Sequence, residues 1–198
     1  MSHLPLSREQ AWQLVKKYNH HEQDLIHYLE SEAVMRSLAS HLKLKPEKVE
    51  YWAMLGLLHD VDWGITKEDV STHLTKMPEI LEDAGFGHEF IENILSHGYG
   101  FSELPHLADK KRTEKIEFAL AASETITGLI HAYALMRGRR ISDMEASGLK
   151  KKFKDRTFAA KVSREVIMEI ENLEITLDEF FQIAIRGIAN IKEQVGLS

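Results

Sequence analysis

Residues 52–62 read WAMLGLLHDVD, an apolar run that ends on the adjacent pair His59 and Asp60. Pro46 lies just upstream and suits the first turn of a helix, where its missing N–H costs little, so we predict a helix over residues 46–60. Neighbouring residues on a helix diverge by about 100°. His59 and Asp60 can therefore reach one ion only beside the end of this helix, and Gly64 after them favours such an end.

The rest of the chain is also patterned as helices. Three Ser or Thr residues precede a Gln or Glu by three positions, which is the spacing of a capping box at a helix start. These pairs are Ser7 with Gln10, Ser142 with Glu145, and Thr176 with Glu179. Strand-like alternation and hairpin turns are not apparent. We predict helices near residues 7–18, 22–42, 46–60, 72–84, 88–97, 113–136, 158–171 and 177–193.

The composition indicates one compact domain, and with the helical patterning we expect a single all-helical domain spanning residues 1–198. The 43% of apolar residues suffice for a sizeable core, and no linker rich in Pro, Gly or Ser divides the chain. The N-terminus lacks the features of a signal peptide, and no segment approaches the roughly 18 apolar residues of a membrane span. We therefore expect a cytoplasmic protein without membrane contact. The formal charge of −6 argues against general nucleic-acid binding. The oligomeric state stays open.

The side chains that could bind a metal ion are histidines and carboxylates. The chain has 11 histidines and no cysteine, so a site would use imidazole and carboxylate donors, which suit divalent Mn, Fe, Ni, Co or Zn. Candidate donors beyond the His59–Asp60 pair lie on an amphipathic helix, near helix ends or in an apolar segment. They are His27, His73, His97 and Glu124. Taken singly, each histidine fits an ordinary half-exposed position equally well, and Glu124 could pair with a lysine.

Several segments resemble the HD-domain superfamily of metal-dependent phosphohydrolases, especially its small stand-alone members. The segments are LIHYLESEAVMRSLA (25–39), GLLHDVDWG (56–64), IENILSHG (91–98), ALAASETITGLI (119–130) and LKKKFKDRTFAAKVSREVI (149–167). The resemblance implies a compact multi-helix HD-domain bundle. It also implies that His27 is the first histidine of the family's site, that His59 and Asp60 are its doublet, and that Glu124 stands where the family usually has aspartate.

The resemblance further implies that His73 and His97 match the additional histidines of members with two metal ions. The expected cofactor is thus one or two divalent ions, held by His27, His59, Asp60, His73, His97 and Glu124. Asp60 would orient or bridge them as the catalytic residue. The substrate would be a small phosphorylated compound, whose other phosphates could meet basic residues. Two basic groups are available, Lys150 to Arg156 and Arg137 with Arg139 and Arg140.

This ligand set is compatible with three functions. The leading hypothesis is a metal-dependent phosphohydrolase acting on a phosphomonoester or nucleotide. The second is an HD-domain di-iron oxygenase, because the six-residue set is also similar to that class. The third is a non-catalytic helical binding module in which Glu124 marks a decayed site. Two nearby residues stay ambiguous: Asp62 as a general base or a loop cap, and His131 as a support of the site or a packing residue.

Overall fold

The chain folds into helices joined by turns, and no β-strand occurs in residues 4–198, which are the residues that this computed structural model describes. The predicted all-helical class is therefore confirmed for them. The α-helices are α1 (Arg8–Tyr18), α2 (Glu22–His41), α3 (Pro46–Leu58), α4 (Trp63–Thr66), α5 (Met77–Asp83), α6 (His88–Leu95), α7 (Lys115–Met136), α8 (Ala146–Lys154), α9 (Arg164–Met168) and α10 (Leu177–Ala189). Short 3₁₀ turns cover Val70–Thr72, Ser96–Gly98, Glu169–Leu173 and Lys192–Val195.

The bundle is organised around α2, which packs against α3, α7 and α10. A glycine permits the close approach of α3 to α2: a Cβ built at Gly56 of α3 would lie 2.6 Å from the carbonyl oxygen of Ser31 in α2. Leu38, Leu58 and Leu120, one from each of α2, α3 and α7, are fully buried in one continuous hydrophobic core. The helices that carry His27 and Glu124, and the helix that ends just before the doublet, are thus core helices.

Helix starts follow local capping chemistry at two of the three predicted boxes. Ser7 and Gln10 form the full reciprocal box at α1. The Thr176 hydroxyl accepts from the backbone N–H of Glu179 at α10. The third prediction is wrong, because Glu145 itself is the N-cap of α8, and the Ser142 hydroxyl instead accepts from Lys192 Nζ.

Several helices begin at other residues than predicted, because other contacts set their first turn. The predicted helix 72–84 begins only at Met77, since Leu74 has a left-handed φ of 67° and the Asp62 carboxylate accepts from the backbone N–H of Lys76 and Met77. The helix α8 was not predicted. The predicted helix 158–171 begins only at Arg164, because Ser163 caps it there.

Arg164, the first residue of α9, also stabilises the turn that precedes this helix. The Arg164 guanidinium, which is 2% exposed, donates to the carbonyl oxygens of Phe153, Asp155, Phe158, Ala159 and Val162. These bonds occupy backbone acceptors that a helix over the segment would have used itself. A buried side chain thus selects the turn, which no periodicity in the sequence indicates.

Helix α7 qualifies as a candidate membrane span by length and composition, contrary to the expectation that no segment comes near this limit. In its most apolar window, 56% of the residues are buried within the protein. Its buried side chains include Leu120, Ile126 and Leu129, which belong to the core. This burial is consistent with the core helix of a soluble protein.

Candidate metal centre

Four histidine Nε2 atoms converge on the carboxylate of Asp60. Nε2 of His27 lies 3.8 Å and Nε2 of His59 lies 3.5 Å from Asp60 Oδ2. Nε2 of His73 lies 3.2 Å and Nε2 of His97 lies 3.1 Å from Asp60 Oδ1. Each carboxylate oxygen therefore faces its own pair of imidazoles. Both groups of three, His27–His59–Asp60 and Asp60–His73–His97, have donor atoms close enough to hold a metal ion.

The donors come from four parts of the chain that the helices bring together. His27 lies in the middle of α2, and α3 ends at Leu58, so the doublet emerges just beyond the helix, as its side-chain directions require. His97 lies in the 3₁₀ turn that continues α6. His73 was predicted to be the first residue of a helix, but it directly follows the turn Val70–Thr72 and has an extended backbone conformation. Its position thus depends on a loop rather than on helical periodicity.

The other ring nitrogen of each histidine meets a protein oxygen. His59 Nδ1 donates to the carbonyl of Gly56 at 2.8 Å, and His97 Nδ1 donates to the carbonyl of Ile94 at 2.6 Å. A carbonyl can only accept, so Nδ1 carries the proton and Nε2 has a free lone pair in the neutral ring.

The His27 ring has the same orientation through a side chain. Its Nδ1 lies 2.9 Å from the Thr127 hydroxyl, which donates its own proton to the carbonyl of Glu124. The hydroxyl must therefore accept from Nδ1, which leaves Nε2 of His27 as a lone-pair donor too. His73 Nδ1 lies 3.1 Å from Asp62 Oδ1, within ion-pair distance but outside hydrogen-bond alignment. Such outer partners fix ring orientation in metal sites.

Three supporting residues carry no clear signal in the sequence. Asn19 and Tyr28 clamp the doublet, because the Tyr28 hydroxyl lies 2.6 Å from the carbonyl of Asp60 and the Asn19 amide donates to the carbonyl of Val61. Arg112 donates to the carbonyls of Ser96, His97 and Tyr99 while it pairs with Glu169. A hydrophobicity pattern cannot reveal such side-chain to backbone bonds. Asp62 was considered as a cap, and it does cap α5 while it faces His73.

The electrostatics of the centre arise from burial and close opposite charges. Burial lowers the pKa of His59, which is fully inaccessible, to about 3. Burial alone would raise the pKa of Asp60, but His59 and His73 outweigh it and hold this pKa well below its usual value. Burial alone would lower the pKa of His73, but Asp60 and Asp62 raise it to about 10. The carboxylate is thus ionised at the middle of the histidine cluster.

Glu124 lies beside this cluster and belongs to neither group of three. Its carboxylate accepts from the neighbouring Thr125 hydroxyl. Burial raises the pKa of Glu124, and the charges of His97 and His27 partly offset that rise. The structure therefore brings five of the six predicted ligands together, with Glu124 next to them.

Three of the eight basic residues considered for phosphate binding are paired with acids. Lys150 lies 2.6 Å from Asp178, and Arg156 lies 2.8 Å from Glu165. Arg137 lies 2.6 Å from Asp143. In these three pairs the acid offsets the positive charge, whereas Lys151, Lys152, Lys154, Arg139 and Arg140 form no ion pair in residues 4–198. The ambiguous His131 instead faces Glu30 across the α2–α7 interface, at 2.7 Å.

Two cavities border α2. One of about 250 Å³ between α2 and α7 is lined by His27 and Thr127, so it adjoins the centre. The other, of about 650 Å³ and on the α10 side, is lined by Arg8, Glu32 and Arg36 among others but by none of the five converging residues. The smaller cavity is therefore the one relevant to the centre.

No family model, curated protein or solved structure matches this chain. The geometry and chemistry of the centre itself are therefore the basis on which its function is inferred.

Proposed function

We propose that the protein is a metal-dependent phosphohydrolase of the HD-domain type that binds two divalent ions and acts on a phosphomonoester or nucleotide. The observation that carries the proposal is the position of Asp60, whose two oxygens face two separate pairs of histidine Nε2 atoms. A carboxylate in this position bridges two ions in many hydrolytic centres.

The chemistry of the donors fits cations. Nε2 of His27 and Nε2 of His59 lie only 3.0 Å apart. Since both Nδ1 atoms have acceptor partners, two lone pairs face one another at this distance, and they repel unless a positive charge lies close to both. With its histidines and carboxylate, the set suits Mn, Fe, Co, Ni or Zn.

Each residue of the centre would have its own part in the reaction. His27 and His59 would hold one ion and His73 and His97 the other, with Asp60 between them. Bound divalent ions lower the pKa of water and polarise a phosphoryl oxygen. Asp60 would fix the position of one ion site relative to the other. The oxygen partners of the Nδ1 atoms would keep the imidazoles directed at the ions. Glu124 lies beside the cluster and would be available to orient a water molecule there.

The first experiment measures metal content and activity together. Protein purified without added metal is expected to contain about two ions per chain and to hydrolyse phosphomonoesters or nucleotides in a screen. Asp60→Ala should lose both the ions and the activity. Asp109→Ala is the control, because Asp109 is exposed and has no hydrogen bond or ion pair in residues 4–198. Unchanged metal content in Asp60→Ala would exclude the proposed site.

One observation favours a di-iron oxygenase as the second candidate. The cavity beside the centre has no Lys or Arg among its lining residues, whereas phosphate groups usually meet such cations. Two irons per chain with an oxygen-dependent absorption change would favour this class over hydrolysis. Retention below about a tenth of an ion per chain, without stabilisation by added metal, would instead support a non-catalytic module.

A further inference from the structure

The cavity between α2 and α7 opens beside the most accessible ligand of the centre. The His27 side chain is 31% exposed, whereas those of Asp60, His73 and His97 are 16%, 10% and 8% exposed and that of His59 is inaccessible. A compound that reaches the centre from solvent therefore meets it on the His27 side. The cavity lies on this side, because His27 and its partner Thr127 form part of its wall.

The wall of the cavity is apolar apart from a few polar side chains. Ile26 of α2 and Gly128, Ala132 and Leu135 of α7 line it. Leu135 is 45% exposed, an unusual position for a leucine on a core helix. Apolar walls with a few directed polar groups are typical of small-molecule sites.

Besides His27 and Thr127, the polar side chains of the wall are Gln23, Glu30 and His131, and the last two form a pair. The Glu30 side chain is 2% exposed, and its Oε1 lies 2.7 Å from Nδ1 of His131. Glu30 follows His27 by one helical turn, and His131 follows Thr127 by one turn, so the two cross-helix pairs lie side by side. No residue in the described part of the chain bonds Nε2 of His131, which leaves this nitrogen for a ligand.

The volume limits what can enter. A space of about 250 Å³ equals roughly eight water molecules in the liquid. A nucleoside is about this size, but its sugar hydroxyls would meet a mainly apolar wall. The charge of the lining side chains also limits which compounds can bind, since the lining has one acid, Glu30, and only imidazoles as cations. Additional phosphate groups would find no fixed positive partner there.

We propose that this cavity binds the small, uncharged and mainly apolar organic group of the substrate, and that the Glu30–His131 pair forms a hydrogen bond to it. The substrate is then a small phosphomonoester rather than a nucleotide, with its phosphoryl group at the Asp60 centre. This inference rests on the proposed function for the phosphoryl end. The cavity itself can be tested without catalysis.

The test uses phenylphosphonate, which carries a phenyl group and cannot be hydrolysed as an ester. Its binding to the manganese-loaded protein is measured by calorimetry, with adenosine monophosphate as the larger probe. Ala132→Leu fills the cavity without touching a ligand, and we expect it to raise the Kd of phenylphosphonate about tenfold. His131→Gln adds no bulk and should raise it about two- to tenfold through the lost hydrogen bond.

Matched controls distinguish these effects from general damage. Ala146→Leu adds the same bulk at another half-buried helix position, and His41→Gln removes another cross-helix His–Glu contact, that of His41 with Glu179 at 2.9 Å. Both should leave the Kd unchanged. Should Ala132→Leu not fold, His131→Gln and the comparison of the two probes still decide the question.

The possible results distinguish a failure of the cavity proposal from a failure of the proposed hydrolysis. Equal binding to wild type and both cavity variants, no binding of phenylphosphonate to wild type, or equally tight binding of adenosine monophosphate would overturn the inference. Phenylphosphonate binding that depends on Ala132, in a protein that hydrolyses no phosphoester, would refute the proposed hydrolysis and retain the cavity. Hydrolysis of other phosphoesters with no effect of the cavity variants would refute the cavity alone.

Discussion

At the scale of single residues, the centre depends on side chains that fix the backbone near each histidine. Arg112 is the clearest case, because its side chain is only 7% exposed and bonds three carbonyls in the turn that contains His97. Glu169 holds the guanidinium from the other side. Neither residue reaches the donor atoms, so their influence on a bound ion is through the position of His97.

We predict that Arg112→Ala selectively weakens one of two metal sites. The turn Ser96–Gly98 loses its side-chain donor, so the affinity of the His73–His97 site should fall roughly 10- to 100-fold, as for other outer partners of metal ligands. Competition with a chelator, followed by metal analysis, measures both sites. Lys110→Ala is the control, since Lys110 is exposed on the neighbouring segment. Equal weakening of both sites would contradict this account.

At the scale of helices, the contact between α2 and α3 determines how closely His27 approaches His59. Gly56→Ala would place a Cβ 2.6 Å from the carbonyl oxygen and 2.8 Å from the carbonyl carbon of Ser31, both backbone atoms that cannot turn aside. We expect a loss of about 1–3 kcal/mol in the free energy of unfolding, measured by urea denaturation. Gly87→Ala, where nothing lies within 4 Å of the added Cβ, should cost less than about 1 kcal/mol. Similar losses at the two positions would show that the helices can separate freely.

The α2–α7 contact is expected to make stability depend on pH. The hydrogen bond that His131 donates to Glu30 raises the pKa of His131, and burial raises the pKa of Glu30. A histidine whose pKa is higher in the folded than in the unfolded protein stabilises the fold when it is protonated. This stabilisation is complete at pH values below the unfolded pKa, which is near 6.5 for histidine. It disappears as the pH rises through the pKa of the folded state. The cost of His131→Gln, measured by urea denaturation of chelator-treated protein, should therefore be larger at pH 6 than at pH 9.

A second variant checks the cause of that dependence. Glu30→Gln removes the charged acceptor of His131, so in its background His131→Gln should cost the same at both pH values. A dependence that persists in the Glu30→Gln background would assign it to another group.

At the scale of the whole molecule, the five converging side chains connect parts of the chain that are far apart in sequence, from α2 to the turn after α6. An ion bound by them is held only by the folded state, so it stabilises that state. At a free-ion concentration of 100 times the Kd this amounts to about 2.7 kcal/mol. For a protein of this size we expect manganese to raise the Tm by about 5–10 °C. Asp60→Ala should show no such rise in a thermal scan, and an equal rise would place the ion elsewhere.

The sequence by itself determined the helical class, most helix bounds and the candidate donors. The bounds came from local rules: Ser7 with Gln10 caps α1, and Pro46 begins α3, because these depend only on residues within one turn. The doublet was recognisable because an ionisable pair that follows an apolar run needs a partner. The family resemblance pointed to His73 and His97, which no local rule distinguishes from other histidines.

Only the tertiary structure decided how these residues meet. The packing of α2, α3 and α7 brings His27, Thr127 and Glu124 to the doublet. The loop after α4 and the turn after α6 bring His73 and His97 to the other oxygen of Asp60. The loop position of His73 depends on Asp62, whose carboxylate caps α5 through the backbone N–H of Met77, 15 residues further along the chain. Local patterns record propensities within a few residues, whereas these contacts join residues up to 100 positions apart, such as His27 and Thr127.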